Sequence, residues 1–310
     1  PLIYAFEQEN IAVTGKGTLD GQAGNDNWWK WKREGGDEAI AKLVAMAEEG
    51  KPVSERKFGQ GGRLRPNFVQ PYRCKNVLIE GITLNRAPMW QLNPVLCENV
   101  TVRGVVADSH GPNNDGCNPE SCRNVLIEDC LFDTGDDCIA IKSGRNADGR
   151  RLAAPCENII VRKCQMKDGH GGVVLGSEMS GGVRNVFVED CQMDSPHLER
   201  AIRLKSNSLR GGYLENMYVR RVEVGEVSDS VLRINLLYMK DRGEHYPLVR
   251  NIYVEDVTAK KSKYPLYLKG IPERPIQNVV VRNCTFDGAS RPSVIEHVED
   301  LQLLNYSQPE

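Results

Sequence analysis

The sequence predicts an all-β fold, a parallel β-helix that winds as a solenoid, from three observations. A short unit recurs in which Asn precedes alternating apolar and β-branched residues, as in Asn76-Val77-Leu78-Ile79. Such alternation is typical of β-strands. From Asn76 onward the units return every 23 to 35 residues, which suits one coil of a β-solenoid per unit. Helical periodicity is nearly absent from these units, so each coil should consist of strands and turns.

The units continue along nearly the whole chain and predict a single β-helix domain over residues 1–310. They begin at nine asparagines: Asn10, Asn76, Asn99, Asn124, Asn158, Asn185, Asn216, Asn251 and Asn278. A β-propeller would need blades of about 40–50 residues, which is longer than most of these intervals. A leucine-rich repeat would need a leucine pattern that this sequence lacks. The β-helix is therefore the favoured repeat fold.

Eight of the ten cysteines fall into two columns relative to these asparagines. Four stand two residues before a repeat asparagine: Cys74, Cys97, Cys122 and Cys156. Four stand six residues after one: Cys130, Cys164, Cys191 and Cys284. Equivalent positions on neighbouring coils stack about 4.8 Å apart, so these cysteines are predicted to be small apolar core residues, mostly free thiols. The repeat asparagines are predicted to form a similar internal ladder at the turns.

An insertion at about residues 22–70 interrupts the repeats and contains the one predicted helix. Asp37 is a suitable N-cap, residues 38–49 supply helix formers, and Gly50 followed by Pro52 ends the helix. Three tryptophans precede it: Trp28, Trp29 and Trp31. They are expected to pack the insertion onto the coil, and stacking on sugar rings is the alternative.

Composition argues against some classes of partner. The chain has 40 basic and 42 acidic residues and a formal net charge of −2, whereas nucleic-acid binding favours a basic excess. No apolar run reaches about 18 residues, so no membrane span is expected. The chain begins with Pro1 and shows no leader segment, which indicates a mature or trimmed product.

Four short segments share a frame that ends in serine and contain most of the candidate site residues. They are residues 115–121, 136–143, 170–177 and 201–206. When the serines are aligned, Asp115 and Asp137 share one column, and Asp136 and His170 share the next. Each of these residues alone would be an ordinary turn or loop residue. Stacked on neighbouring coils, they are predicted to form one catalytic cleft.

The fourth segment adds two cations to this cleft. Arg203 and Lys205 lie two residues apart, so both leave the same face of a strand, and an arginine fork suits a carboxylate. Carboxylates on neighbouring coils repel, so one of them can hold the proton that acid/base chemistry needs. Because Asp136 and Asp137 are consecutive, both reach the cleft only if Gly135 permits a bend there.

The site motifs resemble those of glycoside hydrolase family 28, the polygalacturonases. Four motifs carry the resemblance, in order and at fitting spacing: Asn113-Asn114-Asp115-Gly116, Gly135-Asp136-Asp137, Gly169-His170-Gly171 and Arg203-Leu204-Lys205. The resemblance runs over essentially the whole chain and implies that family's right-handed parallel β-helix. Two features depart from it: Asn114 stands where the first motif usually has Thr, and the N-terminal cap coils are expected to be absent.

The resemblance implies inverting hydrolysis of α-1,4-linked galacturonic acid, with no cofactor and no metal. Asp136 would protonate the leaving oxygen, and His170 would tune that acid. Asp115 and Asp137 would hold and activate water, at the carboxyl separation of about 6.5–9.5 Å usual for inverting enzymes. Substrate contacts are expected from six further residues: Arg203, Lys205, Asn113, Tyr267, Lys142 and His110.

The expected partner is an acidic polysaccharide, homogalacturonan or a related pectin, and the protein is expected to be a monomer. By family resemblance it would be secreted or periplasmic. Exo action is favoured because two loops, residues 28–70 and 244–246, could close one end of the groove. A rhamnogalacturonan or xylogalacturonan hydrolase remains an alternative within the same family.

Two alternatives belong to other classes of protein. A Ca²⁺-dependent pectate lyase could use Asp115, Asp136 and Asp137 as calcium ligands, although the Gly-His-Gly motif around His170 argues against it. A non-catalytic carbohydrate-binding β-helix would not need the complete acid/base set. Treatment with EDTA separates the lyase from the hydrolase.

Overall fold

The structure, a computed structural model that describes residues 1–308, is built mainly from β-strands, most of them short, that are joined by turns and connections. In chain order they are β1 (Ile3–Phe6), β2 (Glu9–Thr14), β3 (Thr18–Asp20), β4 (Val69–Tyr72), β5 (Lys75–Glu80), β6 (Thr83–Asn85), β7 (Glu98–Arg103), β8 (Val106–Ser109), β9 (Arg123–Glu128), β10 (Leu131–Thr134), β11 (Ile139–Ile141), β12 (Cys156–Arg162), β13 (Gln165–Met166), β14 (Val173–Gly176), β15 (Val183–Glu189), β16 (Gln192–Met193), β17 (Arg200–Lys205), β18 (Tyr213–Glu226), β19 (Ser230–Asn235), β20 (Leu248–Lys261), β21 (Tyr264–Lys269), β22 (Ile276–Thr285), β23 (Val294–Glu296) and β24 (Val298–Ser307). The α-helices are α1 (Gly36–Glu48) and α2 (Asn146–Leu152), with 3₁₀ turns at Trp29–Lys32 and Val53–Glu55.

The strands stack in parallel register into three faces of a right-handed solenoid, as predicted. The first face carries the repeat asparagines, from β2 and β5 to the first halves of β18, β20, β22 and β24. The second face runs from β3 and β6 through β16 into the second halves of the long strands. The third face begins at β1 and β4 and continues through bridges at Leu92 and Cys117 into β11, β14, β17, β19, β21 and β23.

Inward-facing side chains from the three faces form one apolar cluster that extends from Phe68 to Phe286. The alternating residues of the sequence alternate between buried and exposed positions in the structure. On β9, for example, Val125 and Ile127 are buried, whereas Leu126 between them is half-exposed. All ten cysteines are buried free thiols, which confirms the prediction that they fill the core. Among the described residues no helix is long and apolar enough to cross a membrane.

The nine repeat asparagines form a continuous hydrogen-bonded ladder at the start of the first face. Each amide nitrogen donates to the amide oxygen of the asparagine on the preceding coil, at 2.8–3.2 Å. All nine have φ between 52° and 59°, a left-handed conformation that asparagine tolerates well. The ladder is exposed or half-exposed, so the prediction of an internal ladder was wrong. Left-handed turns place these side chains on the outside of the corner.

Replacing one asparagine should separate the contribution that the ladder's hydrogen bonds make to stability from the contribution of its left-handed backbone conformation. Asn158 donates to Asn124 and accepts from Asn185, at φ 58°. We expect Asn158→Gly to lose only the hydrogen bonds, and Asn158→Ala to lose about 1 kcal/mol more because alanine is strained at this φ. Denaturant unfolding measures both variants. Equal free energies of unfolding would contradict the backbone contribution.

The helix predicted in the insertion is present as α1, but it begins at Gly36 rather than after an Asp37 cap. Gly35 is the N-cap residue, with φ 103° and no side-chain capping bond. Asp37 lies in the first turn and pairs with Lys32 at 3.2 Å. A left-handed entry into the helix requires glycine, and this displaces the cap by two residues.

The second helix, α2, was not predicted, and it supports the insertion. Glu48 at the end of α1 accepts a hydrogen bond from the backbone nitrogen of Ala147 at 3.0 Å, and Arg151 donates to the carbonyl of Ala47 at 2.7 Å. At the other end, the indole of Trp29 donates to the carbonyl of Ala87 at 2.9 Å. The insertion is therefore fixed to the coil at both ends, and Trp29 has the packing role that was expected.

Candidate active site

Strand register brings the aligned residues together as the sequence predicted. The bridge that joins the coil before β11 to β11 places Asp115 beside Asp137. The pairing of β11 with β14 places Asp136 beside His170. Strand β17 pairs with β14 on the next coil and presents Arg203 and Lys205 from one face. The site therefore spans four consecutive coils of the third face.

The chain bends between β10 and β11, so that Asp136 and Asp137 both reach the cleft. The hydroxyl of Thr134 donates to the carbonyl of Asp136 at 2.8 Å, and the backbone nitrogen of Asp137 donates to the Asp136 carboxylate at 2.9 Å. Gly135 is required for close approach, because a Cβ at this position would lie 2.5 Å from the carbonyl oxygen of Gly111.

The three aspartates converge in one cavity of about 470 Å³. One carboxylate oxygen from each of Asp115, Asp136 and Asp137 lies within 4.8 Å of the others. Asp137 is buried and is held by Lys205, whose Nζ lies 2.6 Å from Oδ2, and by Arg203 at 3.3 Å from Oδ1. These two cations already occupy both Asp137 oxygens, which disfavours a Ca²⁺ site that would need six or more free oxygen ligands.

Asp115 has the properties of the carboxyl group that retains a proton. It is buried and accepts a hydrogen bond from the amide of Asn118 at 2.9 Å. Burial, with the neighbouring Asp136 charge adding to it, raises the pKa of Asp115 to about 7. The Nζ of Lys142 lies 3.6 Å from its Oδ2 and opposes that rise.

Asp136 forms an ion pair with His170. Burial alone would raise its pKa, but the hydrogen bond from His170 and the charge of Lys205 lower the pKa of Asp136 to about 2. The same contact, 3.1 Å from Nδ1 to Oδ1, raises the pKa of His170. The pair shares one proton, and its titration belongs to both groups together. His170 can therefore supply the proton that Asp136 would deliver.

The pKa values differ from what the family resemblance implies, because it assigns the acid role to Asp136. The raised pKa belongs to Asp115 rather than to Asp136. The reason is that Asp136 has a cationic partner in His170, whereas Asp115 is buried beside a like charge.

The charge of Lys142 opposes the raised pKa of Asp115, and its replacement should move the pH profile. It is buried, and its Nζ lies 3.2 Å from Glu178 and 4.7 Å from the ring centroid of Trp90. Removing a cation near Asp115 raises the pKa of that carboxyl further. We therefore expect Lys142→Met to move the acidic limb of kcat/KM to higher pH, by on the order of one unit. Lys142→Arg should leave the limb in place. A shift of the alkaline limb alone would show that Asp115 works in its protonated form.

Asn113 lies in the cavity and touches Asp136, with its amide nitrogen 3.4 Å from Oδ2. Its oxygen accepts from the buried Arg65 at 2.6 Å, a contact across the insertion that sequence reasoning missed. Asn114, the departure from the family motif, is buried scaffold. Its oxygen accepts from Ser109 and its nitrogen donates to the carbonyl of Ala87, so the amide ties two coils together.

Two of the expected substrate contacts lie away from the aspartates. Tyr267 is in register with Arg233 and Arg203, and the guanidinium of Arg233 lies 3.8 Å above its ring, so the next coil separates it from the cavity. His110 lies in another cluster, with Nε2 3.0 Å from Asp133. The aromatic residues that line the cavity are Tyr238 and Trp90.

Sequence reasoning missed Tyr238 because it lies in the connection after β19, outside the repeated segments. Its ring centroid is 5.5 Å from the guanidinium carbon of Arg203 and 5.3 Å from Nζ of Lys205. The available signal was its position just after the strand that follows Arg203 on the next coil. Aromatic faces beside cations suit a sugar carrying a carboxylate.

Clustered carboxylates in a cleft that also holds cations are typical of glycosidases that act on acidic sugars. The family model for glycosyl hydrolases family 28 matches residues 2–303, and the chain belongs to this family. A probable polygalacturonase of Vitis vinifera is 30% identical over 302 residues, covering 94% of this chain and 55% of its own. An endo-polygalacturonase of Pectobacterium parmentieri is 27% identical, covering 91% of this chain and 64% of its own.

Among solved structures, this chain is similar to a hyperthermoactive exopolygalacturonase from Thermotoga maritima. The two share 46% sequence identity with a TM-score of 0.97, over 99% of this chain and 71% of that one. The chain spans between half and two thirds of the length of the curated relatives named above.

Proposed function

We propose that the protein hydrolyses α-1,4-galacturonosidic bonds of polygalacturonate from a chain end, with inversion at the anomeric carbon. The observation that carries the proposal is the convergence of Asp115, Asp136 and Asp137 in one cavity with Lys205. Three carboxylates supply an acid and a water-activating base, and the cation suits a uronic acid.

Exo action is proposed because the insertion closes one wall of the cavity. Lys32 before α1, and Asp37, Ile40 and Ala41 in its first half, line the same cavity as the aspartates. This wall would limit the number of sugar residues that bind on that side. The Thermotoga maritima relative is described as an exopolygalacturonase, which supports the proposal, whereas the Pectobacterium parmentieri relative is described as an endo enzyme.

Timed digestion of polygalacturonic acid with EDTA present tests the reaction and its mode. We expect free galacturonic acid from the first time point and no intermediate oligomers. A ladder of oligomers would contradict exo action and leave hydrolysis standing. Products that absorb in the near ultraviolet and form only in a parallel digestion without EDTA would identify a lyase. No product at all would overturn the proposal and direct attention to rhamnogalacturonan or xylogalacturonan.

Proton NMR of the first product tests the stereochemistry. The anomer formed first distinguishes direct attack by water, which inverts the configuration, from a covalent intermediate, which leads to retention. In the proposed reaction Asp136 is the acid, and Asp115 and Asp137 hold the attacking water. We expect the β-anomer to appear first and to mutarotate later. Initial formation of the α-anomer would contradict inversion.

The proposal also places the protein where polymeric pectin occurs, secreted or periplasmic, and as a monomer. Membership of a family of secreted pectin-degrading enzymes supports this location. Cell fractionation tests the location, and light scattering in solution tests the monomer. Finding the enzyme inside the cell would contradict the proposed location. The proposed reaction would stand, and the physiological substrate would then be short oligogalacturonates.

A further inference from the structure

The cavity that holds the aspartates has a second cationic wall, which the proposed reaction does not use. Arg145 and Arg210 line it together with Lys142 and Glu178. Arg145 follows β11, and Arg210 follows β17. Both arginines therefore lie beyond the carboxyl ends of the strands that carry the site. Helix α2, which begins directly after Arg145, supports this wall from outside.

Both guanidinium groups have hydrogen-bonding capacity that the protein does not use. Arg210 is 1% exposed, and its Nη1 donates to Asn146 at 2.6 Å. Its Nε is buried without a hydrogen-bond partner among residues 1–308, and so is the Nε of Arg145. An unpaired buried donor on a charged group is costly. The wall is therefore built to receive an acceptor from outside the chain.

The nearest acid does not neutralise this pair. Glu178 is engaged by Lys142, whose Nζ lies 3.2 Å from Oε2. Burial lowers the pKa of Arg210, Glu178 opposes this, and the charge of Arg145 adds to it, so the two arginines are close enough to repel. Lys142, Arg145 and Arg210 thus share Glu178, and Lys142 also faces Asp115 at 3.6 Å. An anion bound between the arginines would relieve both the repulsion and the unpaired donors.

We propose that Arg145 and Arg210 bind the carboxylate of a second uronic acid residue, across the scissile bond from the residue held by Arg203 and Lys205. This inference rests on the proposed function, since polygalacturonate carries one carboxylate on every sugar. Two carboxylate positions beside one cavity would fix a disaccharide unit over the aspartates. They would also disfavour a neutral or methyl-esterified residue at the position beside Arg145 and Arg210, because the buried Nε donors of these arginines would then be left unpaired.

Binding to matched disaccharides tests the assignment. The ligands are digalacturonate and its two mixed isomers, in each of which a different galacturonic acid is replaced by galactose. Calorimetry is performed on Asp136→Asn protein, so that no ligand is cleaved. We expect Arg145→Gln to weaken digalacturonate binding about 10- to 100-fold and to have little effect on one of the mixed isomers. Arg203→Ala should also weaken the binding of digalacturonate, but it should have little effect on the other mixed isomer.

Arg150→Gln is the matched control, because it removes the same charge nearby. Arg150 lies on α2, and its guanidinium donates to the backbone carbonyls of Leu209 and Arg210. It does not line the cavity. If Arg145→Gln binds digalacturonate as tightly as Arg150→Gln does, the inference is overturned. If it weakens the acidic and both mixed disaccharides equally, Arg145 has only a structural role and the inference is likewise overturned.

A monosaccharide measurement separates failure of this inference from failure of the proposed function. Thermal unfolding is followed with sodium D-galacturonate and with D-galactose at equal ionic strength. We expect only galacturonate to stabilise the protein, and Arg145→Gln to lose part of that shift while Arg150→Gln retains it. If polygalacturonate is not cleaved but this dependence on Arg145 remains, the function fails and the anion site stands. If polygalacturonate is cleaved but galacturonate stabilises Arg145→Gln as much as Arg150→Gln, the proposed function stands and the anion site fails.

Discussion

Asp136→Asn is expected to lower kcat on polygalacturonate by about 10³- to 10⁴-fold while leaving the fold intact. The asparagine keeps the acceptor for the backbone nitrogen of Asp137 and can still contact His170. It cannot carry the proton that this pair shares. The leaving sugar oxygen would then depart as an unprotonated alkoxide, which is the costly step. Circular dichroism and the melting temperature confirm the fold.

The leaving group identifies which carboxyl group is the acid. A 4-nitrophenyl galacturonide needs little protonation to depart, so Asp136→Asn should lose much less activity on it than on polygalacturonate. Asp115→Asn is the necessary comparison, because Asp115 is the residue whose pKa is raised to about 7. If the loss of activity is smaller on the aryl substrate for Asp115→Asn but not for Asp136→Asn, the acid is Asp115. Asp136 and His170 would then be a structural ion pair.

The site residues that sequence reasoning identified were those whose position is set by stacking. In a repeating coil, residues that align in sequence are neighbours in space. The alignment on Ser121, Ser143, Ser177 and Ser206 therefore predicts which residues lie beside each other. The register of β11, β14 and β17 reproduces that alignment. This is why Asp115, Asp136 and Asp137 could be brought together from the sequence alone.

The residues that sequence reasoning missed lie in the connections, where length varies from coil to coil. Tyr238, Arg145 and Arg210 follow strands of the third face at different offsets, so no column contains them. Tyr267 was expected only from the family resemblance, which implies a substrate-binding tyrosine. Its position two coils beyond Arg203 faces Arg233 instead. Connections are positioned by tertiary contacts, and these leave no periodic trace in the sequence.

The protonation states could not have been predicted from residue types. Asp115 and Asp136 are both carboxylates in one cleft, yet their pKa values are displaced in opposite directions, to about 7 and about 2. The difference arises from burial and from one contact with His170. Repulsion between carboxylates was anticipated, but which residue would retain the proton depends on distances that the sequence does not contain.

Asp137→Asn is expected to abolish activity to a similar degree, about 10³-fold, but without relief by a better leaving group. Asp137 is buried between Lys205 and Arg203, so asparagine keeps the shape and removes only the charge that attracts a proton from water. Water activation is needed whatever leaves, and both substrates should therefore lose activity equally. Asp133→Asn, which lies beside His110 rather than in the cavity, is the matched control and should remain active.

Azide supplies the decisive measurement for Asp137, because a small anionic nucleophile needs no base. Adding azide to Asp137→Asn should restore cleavage of the aryl galacturonide and yield a β-galacturonosyl azide, the product of inversion from an α-linkage. The same addition should not rescue Asp136→Asn on polygalacturonate, where the missing group is the acid. Rescue with an α-linked product would instead indicate a covalent intermediate on the enzyme, and would make one of the three clustered aspartates a nucleophile. One oxygen from each of the three aspartates lies within 4.8 Å of the others. This arrangement is compatible with attack by a carboxylate and with attack by water that two carboxylates hold, and the linkage of the azide product distinguishes the two.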